Sequence, residues 1–303
     1  MFYFKYLFKT LLSNISTNKS ILRVIKFGLK AFFINLKYSI KNFNKAPIKT
    51  YGNNPKSFFW KKALIHLRFI NYFYERHYIL KAPIIKIVAG GFLREVNTNY
   101  DTKDLNKEIK LISQKIIDEF KFLNFYSVYN HLETYFESLN NDQVLFDDYK
   151  NMKNLSVLEI GPGVGFNSLI YESFINKEIY FYDFEEMIDI QKNILQNFSN
   201  LKNKINFFSN IDLLKKKIKN NNYFITSYWA FSEFDIEDRA SFSEIVENSK
   251  FSIFLSNSKF ENVNNYDYFN NLSKKINKKL LIIPYDKKYQ ENFTKNHNYY
   301  ILY

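Results

Sequence analysis

Residues 155–165 read LSVLEIGPGVG, and no other run constrains the fold as much. An apolar segment able to form a buried strand ends on Gly161, and Gly163 and Gly165 follow at alternate positions. Glycine lets a backbone turn tightly and approach a ligand with no Cβ in the way. A helix starting next presents its free N–H groups to that ligand. The cluster is informative because glycine is scarce: the chain has 303 residues and 7 Gly. Phe (33) and Tyr (24) are abundant, together with Lys, Asn and Ile. An A/T-rich coding sequence produces that skew, so aromatic content does not by itself argue for stacking on bases or sugars.

From this point the chain alternates. Strands are predicted at Leu155–Ile160, Glu178–Tyr182, Ile205–Phe208, Tyr223–Thr226, Phe251–Leu255, Leu280–Ile283 and Tyr299–Leu302. Helices are predicted at 164–175, 185–197, 211–219 and 236–248. Such alternation predicts an α/β, doubly wound parallel sheet covered on both faces. The preceding region reads differently. Residues 103–124 carry apolar side chains at 105, 109, 112, 116, 117, 120 and 123, an amphipathic helix, and 126–140 look like another. Residues 58–80 read as a helix, Ala82–Val88 as a short strand, and Gly90–Gly91 as a turn. Residues 42–57, with two Pro and several Asn, read as a linker. Three parts result: a basic N-terminal segment (1–41), a mostly helical region (42–150) and an α/β domain (151–303).

The glycine spacing discriminates between ligands. A dinucleotide fingerprint, G-x-G-x-x-G, needs its third glycine at 166, which is Phe166. A phosphate-binding loop of the G-x-x-x-x-G-K-[ST] type needs a lysine that is absent here. With Glu159 two residues before Gly161, the pattern is E-x-G-x-G-x-G. It resembles motif I of the class I S-adenosylmethionine-dependent methyltransferases, over about residues 155–303. The resemblance implies a seven-strand Rossmann-like sheet whose last strand is antiparallel. It implies S-adenosyl-L-methionine as cofactor, with Gly161, Gly163 and Gly165 backing its methionine and ribose and Glu159 helping to hold the methionine end. It places Asp183, at the close of the second strand, on the ribose hydroxyls, and Asn210, after the third strand, on the adenine.

The fourth strand leads into SYWAFSEFDIEDR (227–239), where this fold supplies acceptor-side residues. The [DNS]-P-P-[YF] run of nucleic-acid amino-methyltransferases is missing. Cysteine-dependent cytosine methylation and cluster-dependent radical chemistry are excluded because the chain has no Cys. The run AFSEFD (230–235) resembles the S-x-S-E-M-like segment of the sugar O-methyltransferases of bacterial surface-glycan clusters, with Ala230 and Phe234 departing from it. That resemblance implies methyl transfer to a sugar hydroxyl in glycan biosynthesis. A hydroxyl nucleophile needs a base. Glu233 is the first candidate and Asp235 the second, while a plain helix-start role for Glu233 stays open. His66, His77, His131 and His297 are weaker candidates, and no residues have metal-ligand spacing. The 42–150 region is read as a cap selecting the acceptor, with Arg94 and Tyr100 as candidate contacts. Three other readings remain: another small-molecule or lipid O-methyltransferase, a non-catalytic cofactor-binding assembly factor, and, third, a nucleic-acid methyltransferase.

Charge is concentrated at one end. Residues 1–74 hold 14 Lys and Arg and no acid, whereas the remainder holds 29 against 30 acids. A protein-wide nucleic-acid-binding face is therefore not expected. Lys19, Arg23, Lys26, Lys30, Lys37 and Lys41 fall on one helical stripe about 60° wide. A helix lying in the interface of an anionic membrane fits this pattern, and so does an amphipathic helix packed on the domain. Met1–Asn14 lacks the uninterrupted apolar core and cleavage site of a signal peptide. A cytoplasmic location is expected, with peripheral attachment to the membrane's inner face if the stripe meets lipid.

Overall fold

The computed structural model describes residues 105–303 apart from 199–200, 202–203, 261 and 286–296. From the earlier chain it describes Trp60, Ala63, Leu64, Leu67, Arg68, Ile70, Asn71, Ile79, Leu80 and Ile85. The basic stripe at 19–41, the linker, Gly90–Gly91, Arg94, Tyr100, His66 and His77 lie outside the described residues. The described residues among 60–71 are all helical. Ile85 is also helical, where the apolar run around it predicts a strand. Short apolar runs do not separate a buried strand from a buried helical turn, and Ile85 is fully buried. Among the described residues, no helix is long and apolar enough to cross a membrane.

Two amphipathic helices open the contiguous part, α1 (Lys107–Glu119) and α2 (Phe125–Leu139). Asparagine caps both: Asn106 Oδ1 accepts from the Glu108 and Ile109 N–H groups, and Asn124 Oδ1 from that of Ser127. A short helix, α3 (Asp147–Lys150), then leads to the sheet.

The α/β part runs β1 (Ser156–Ile160), α4 (Ser168–Phe174), β2 (Ile179–Tyr182), α5 (Glu185–Leu195), β3 (Ile205–Phe208), α6 (Ile211–Ile218) and β4 (Tyr223–Tyr228). It continues with α7 (Ile236–Ser241), α8 (Ser243–Asn248), β5 (Ser252–Asn257), the small pair β6 (Lys259–Phe260) and β7 (Val263–Asn264), α9 (Asn265–Lys275), β8 (Leu280–Pro284) and β9 (His297–Leu302). The main sheet has the order β3-β2-β1-β4-β5-β9-β8. Its first five strands are parallel, and β9 is antiparallel to both neighbours. All seven strands lie where the sequence places them, within two residues.

Three helical details differ from the sequence reading. The helix predicted at 164–175 begins only at Ser168. The residues before it form successive tight turns, Gly165 N–H to the Pro162 carbonyl and Ser168 N–H to the Gly165 carbonyl. The helix predicted at 236–248 is broken at Phe242, which is buried between α7 and α8. Helix α9 has no counterpart in the sequence reading, because NYDYFNNLSKK has few apolar residues and reads as loop; Asn264 caps it.

Alternation along the strands divides the core into two layers. One joins Val157, Ile179, Phe181, Phe224, Ile253 and Ile301 to α1, α2, α4, α5 and the described 60–85 residues. The other joins Leu158, Ile160, Tyr180, Ile225, Phe254 and Tyr300 to α6, α8 and α9. By the same alternation Glu159 shares a face with Val157 and points toward the first layer.

Candidate functional site

The topology locates the site. The chain winds from β1 outward to β3, then crosses back to β4 and winds outward the other way. Ligands of doubly wound sheets bind outside the carboxyl ends of the strands, where this direction reverses. Here that point lies between β1 and β4. Gly161 follows β1 and Ala230 follows β4, and the two touch: a Cβ on Gly161 would stand 2.1 Å from the Ala230 Cβ. Gly161 also has φ 68°, Gly163 58° and Gly165 87°, a region that side-chain-bearing residues avoid. A Cβ on Gly165 would stand 2.8 Å from Leu195 and 3.0 Å from Phe181, so this glycine lets α5 and β2 close against the loop. Ser227 spans the switch point, its Oγ donating to the Ile160 carbonyl and accepting from the Phe231 N–H.

Glu159 is fully buried, and neither carboxyl oxygen makes a hydrogen bond of normal geometry with the described residues. Burial raises its pKa well above the ordinary carboxylate value; the nearby Tyr171 works against that rise and Asp183 adds to it. Around it stand Tyr135, Tyr171 and Tyr228, whose hydroxyls burial holds in the neutral form. Tyr171 reaches Thr226 Oγ1 at 2.8 Å, and Thr226 is the β4 residue in register with Glu159. The Asn167 amide, also buried, faces Tyr135, yet among the described residues neither its oxygen nor its nitrogen makes a hydrogen bond of normal geometry. Buried polar atoms in such number are ordinarily paired. Unpaired beside a glycine loop, they fit the polar end of a ligand.

Asp183 closes β2. Its Oδ1 accepts from the Phe184 N–H at 2.8 Å, and its Oδ2 from Gln191 Nε2 at 2.8 Å. Burial pushes its pKa up to about 7, with these two donors opposing the rise and Glu186 adding to it. Asn210 is exposed and caps α6, its Oδ1 accepting from the Asp212 and Leu213 N–H groups; Nδ2 is the atom it has left to offer a ligand.

On the other side of the switch point, Trp229 leaves β4 at φ 68°. A left-handed tryptophan costs on the order of 1–2 kcal/mol and is the kind of strain that gathers at functional sites. Its backbone N–H donates to the Leu255 carbonyl at 2.7 Å. The chain then makes one 3-10 turn, Ala230–Glu233. Glu233 is half-buried; burial pushes its pKa up to about 7, and the Trp60 side chain acts in the opposite direction. Asp235 serves the backbone instead, its Oδ1 capping α7 by accepting from the Asp238 N–H at 2.9 Å. Arg239, fully buried, fixes the turn. Its guanidinium donates to the carbonyls of Ser232 and Phe234, on either side of Glu233, and to Asn265 Oδ1. It also lies over the Tyr268 ring, and burial lowers its pKa to about 10.

The earlier chain reaches the same edge. Trp60 packs on Phe184, ring centroids 5.1 Å apart. Arg68 Nε donates to the buried Glu186 carboxylate at 2.6 Å, and Asn71 Nδ2 to the Glu186 carbonyl at 2.7 Å. His131 packs on Tyr135 in α2, and His297 sits in β9 beside Trp229 and Tyr285. The structure thus brings Glu159, the three glycines and Asp183 to one loop cluster, with Glu233 across the switch point. Sequence reasoning missed Trp60, Gln191 and Arg239. The last two carried a usable signal, since each is a polar side chain on the buried face of its helix.

No family model and no curated protein matches the chain. Among solved structures, the fold is similar to the methyltransferase domain of bacterial CtHen1, with 14% identity and a TM-score of 0.43 over 57% of this chain and 95% of that one. It is similar to a SAM-dependent methyltransferase from Aquifex aeolicus, with 15% identity and a TM-score of 0.38 over 56% and 96%. Magnesium protoporphyrin IX methyltransferase from Synechocystis PCC 6803, solved with bound SAM, has 13% identity and a TM-score of 0.41 over 79% and 94%. The seven-strand sheet, with β9 reversed between β5 and β8, is the Rossmann-like sheet with an antiparallel last strand that the sequence resemblance implies.

Proposed function

We propose that this protein is an S-adenosylmethionine-dependent O-methyltransferase acting on a sugar hydroxyl in surface-glycan biosynthesis. The observation that carries the methyl-transfer reading is the loop at the switch point. Three left-handed glycines stand between a buried acid, neither of whose oxygens makes a hydrogen bond of normal geometry among the described residues, and an acid closing the next strand. When bound, S-adenosyl-L-methionine supplies an electrophilic methyl on a sulfonium. Asp183 would accept the ribose hydroxyls, Glu159 and Asn167 would meet the methionine end, and Asn210 Nδ2 would donate to the adenine.

Glu233 would take the proton of the attacking hydroxyl as the new C–O bond forms and the S–C bond breaks. A carboxyl raised to about 7 suits this, being basic enough to hold the proton and ionised in part at neutral pH. The sugar acceptor rests on the AFSEFD resemblance, and the cap role of 42–150 gains support from Trp60, Arg68 and Asn71 docking on the start of α5. The basic stripe at 19–41 would hold the enzyme on an anionic membrane where lipid-linked glycans are built.

The test has two stages. S-adenosylhomocysteine should bind on calorimetric titration, and absence of binding at any pH sinks the methyltransferase reading. Labelled methyl from S-adenosylmethionine should then enter a surface-glycan fraction and not lipid, RNA or protein; label in another fraction replaces the sugar. Glu233→Gln should retain cofactor binding and lose transfer.

A further inference from the structure

Gln191 lies on α5, eight residues after Asp183, and is fully buried. Its single Nε2 makes two hydrogen bonds of 2.8 Å, one to the Gly163 carbonyl and one to Asp183 Oδ2. Both partners are acceptors, so the amide orientation is determined: the NH2 faces them and both its hydrogens are used. The Gln191 Oε1 is buried with no partner among the described residues. An amide held so that one end is fully engaged and the other unpaired does more than fill space, since an apolar side chain would leave no buried acceptor behind. The two groups it joins come from different elements, the glycine loop after β1 and the carboxylate after β2.

We propose that Gln191 is a positioning residue of the cofactor site, holding the Asp183 carboxylate and the glycine loop at one fixed separation. This rests on the methyltransferase reading. The donor does two things for Asp183. It fixes which oxygen lone pairs face the crevice, and it favours the ionised form that ribose hydroxyls can donate to. Burial and the Glu186 carboxylate on α5 oppose the ionisation of Asp183; Glu159 on β1 and Tyr182 on β2, the other titratable groups beside it, are themselves held neutral by burial. Among the described residues, the Phe184 N–H and the Gln191 amide favour that ionisation. Loss of Gln191 therefore moves Asp183 further toward its neutral form, a weaker acceptor for ribose hydroxyls.

The experiment is a calorimetric titration with S-adenosylhomocysteine between about pH 5.5 and 9, a range that brackets the Asp183 titration. In the wild type, affinity should rise with pH as Asp183 ionises and then level off. Gln191→Met should bind ~10-fold or more weakly at neutral pH, the worth of a hydrogen bond to a charged group, with its midpoint moved to higher pH. Gln191→Glu, of the same shape, should reverse the trend, binding more weakly as pH rises and a second anion forms beside Asp183. A Gln191→Met protein with wild-type affinity and midpoint overturns the proposal, as does a Gln191→Glu protein that follows the wild-type trend. If circular dichroism shows the Met variant unfolded, the Glu variant decides alone. A wild type with no binding at any pH is a separate result, which sinks the methyltransferase reading itself.

Discussion

The two sides of the switch point are built by different means. On the β1–β2 side the backbone makes the site: three left-handed glycines, and a carboxylate at a strand end held by a neighbouring N–H and one amide. On the β4 side, side chains from distant parts of the chain make it. Glu233 rides on a turn locked by Arg239, Arg239 is oriented by Asn265 on α9, and Trp60 comes from more than 150 residues away. Both sides hold a carboxyl that burial raises to about 7. The first should therefore fail through backbone changes and the second through the loss of remote side chains.

The strongest way to break the first side is Gly161→Val. It combines a left-handed φ with a Cβ 2.1 Å from that of Ala230, so a loss on the order of 5 kcal/mol in urea unfolding is expected. Gly161→Ala with Ala230→Gly removes the clash and keeps only the φ strain, and should recover most of the loss. A double variant as unstable as Gly161→Ala alone would show that the two sides do not meet there.

Next in size is a pH effect that both sides share. The unfolded chain loses the protons of these two acids near pH 4, whereas the folded protein keeps them to about pH 7. Their contribution to stability is therefore full below about pH 4 and lost as pH rises through 7, about 4 kcal/mol for the Asp183 shift. Urea midpoints should fall between about pH 5 and 8. Asp183→Asn should flatten that fall while weakening S-adenosylhomocysteine binding, and a slope unchanged by the substitution counts against the burial of Asp183.

The contrast also explains which features are legible in the sequence. All seven strands are, because short apolar runs bounded by Gly161, Asp183 and similar breaks alternate with longer helical stretches. So are Gly161, Gly163, Gly165 and Asp183, since a backbone site is written in consecutive residues. Gln191 and Arg239 show only as polar side chains on buried helix faces, and Trp60 not at all; their partners are set by which helix lies on which strand, and no local pattern encodes that. Helix α9 escapes for a related reason: it is held by its Asn264 cap and only two buried apolar side chains, Phe269 and Leu272, beside the buried polar Asn265 and Ser273. Arg239→Met breaks the β4 side at its hub. It leaves two carbonyls and an amide oxygen unpaired, so a loss of about 3 kcal/mol is expected, with cofactor affinity kept and methyl transfer abolished. Equal losses of binding and transfer would mean that the two sides are one mechanical unit.

The smallest effect concerns Asn210, where a backbone duty and a ligand duty fall on one amide. Its oxygen caps α6 and its nitrogen is the candidate adenine contact. Asn210→Ala removes both and should cost about 1 kcal/mol of stability as well as affinity. Asn210→Asp separates the two. The carboxylate still accepts from the Asp212 and Leu213 N–H groups, and a negative charge at a helix start is favourable, so stability should hold. What disappears is the Nδ2 donor. A weaker S-adenosylhomocysteine affinity at unchanged melting temperature assigns the adenine contact to Asn210, whereas unchanged affinity leaves it as a helix cap and moves the adenine to other atoms of the β3 edge.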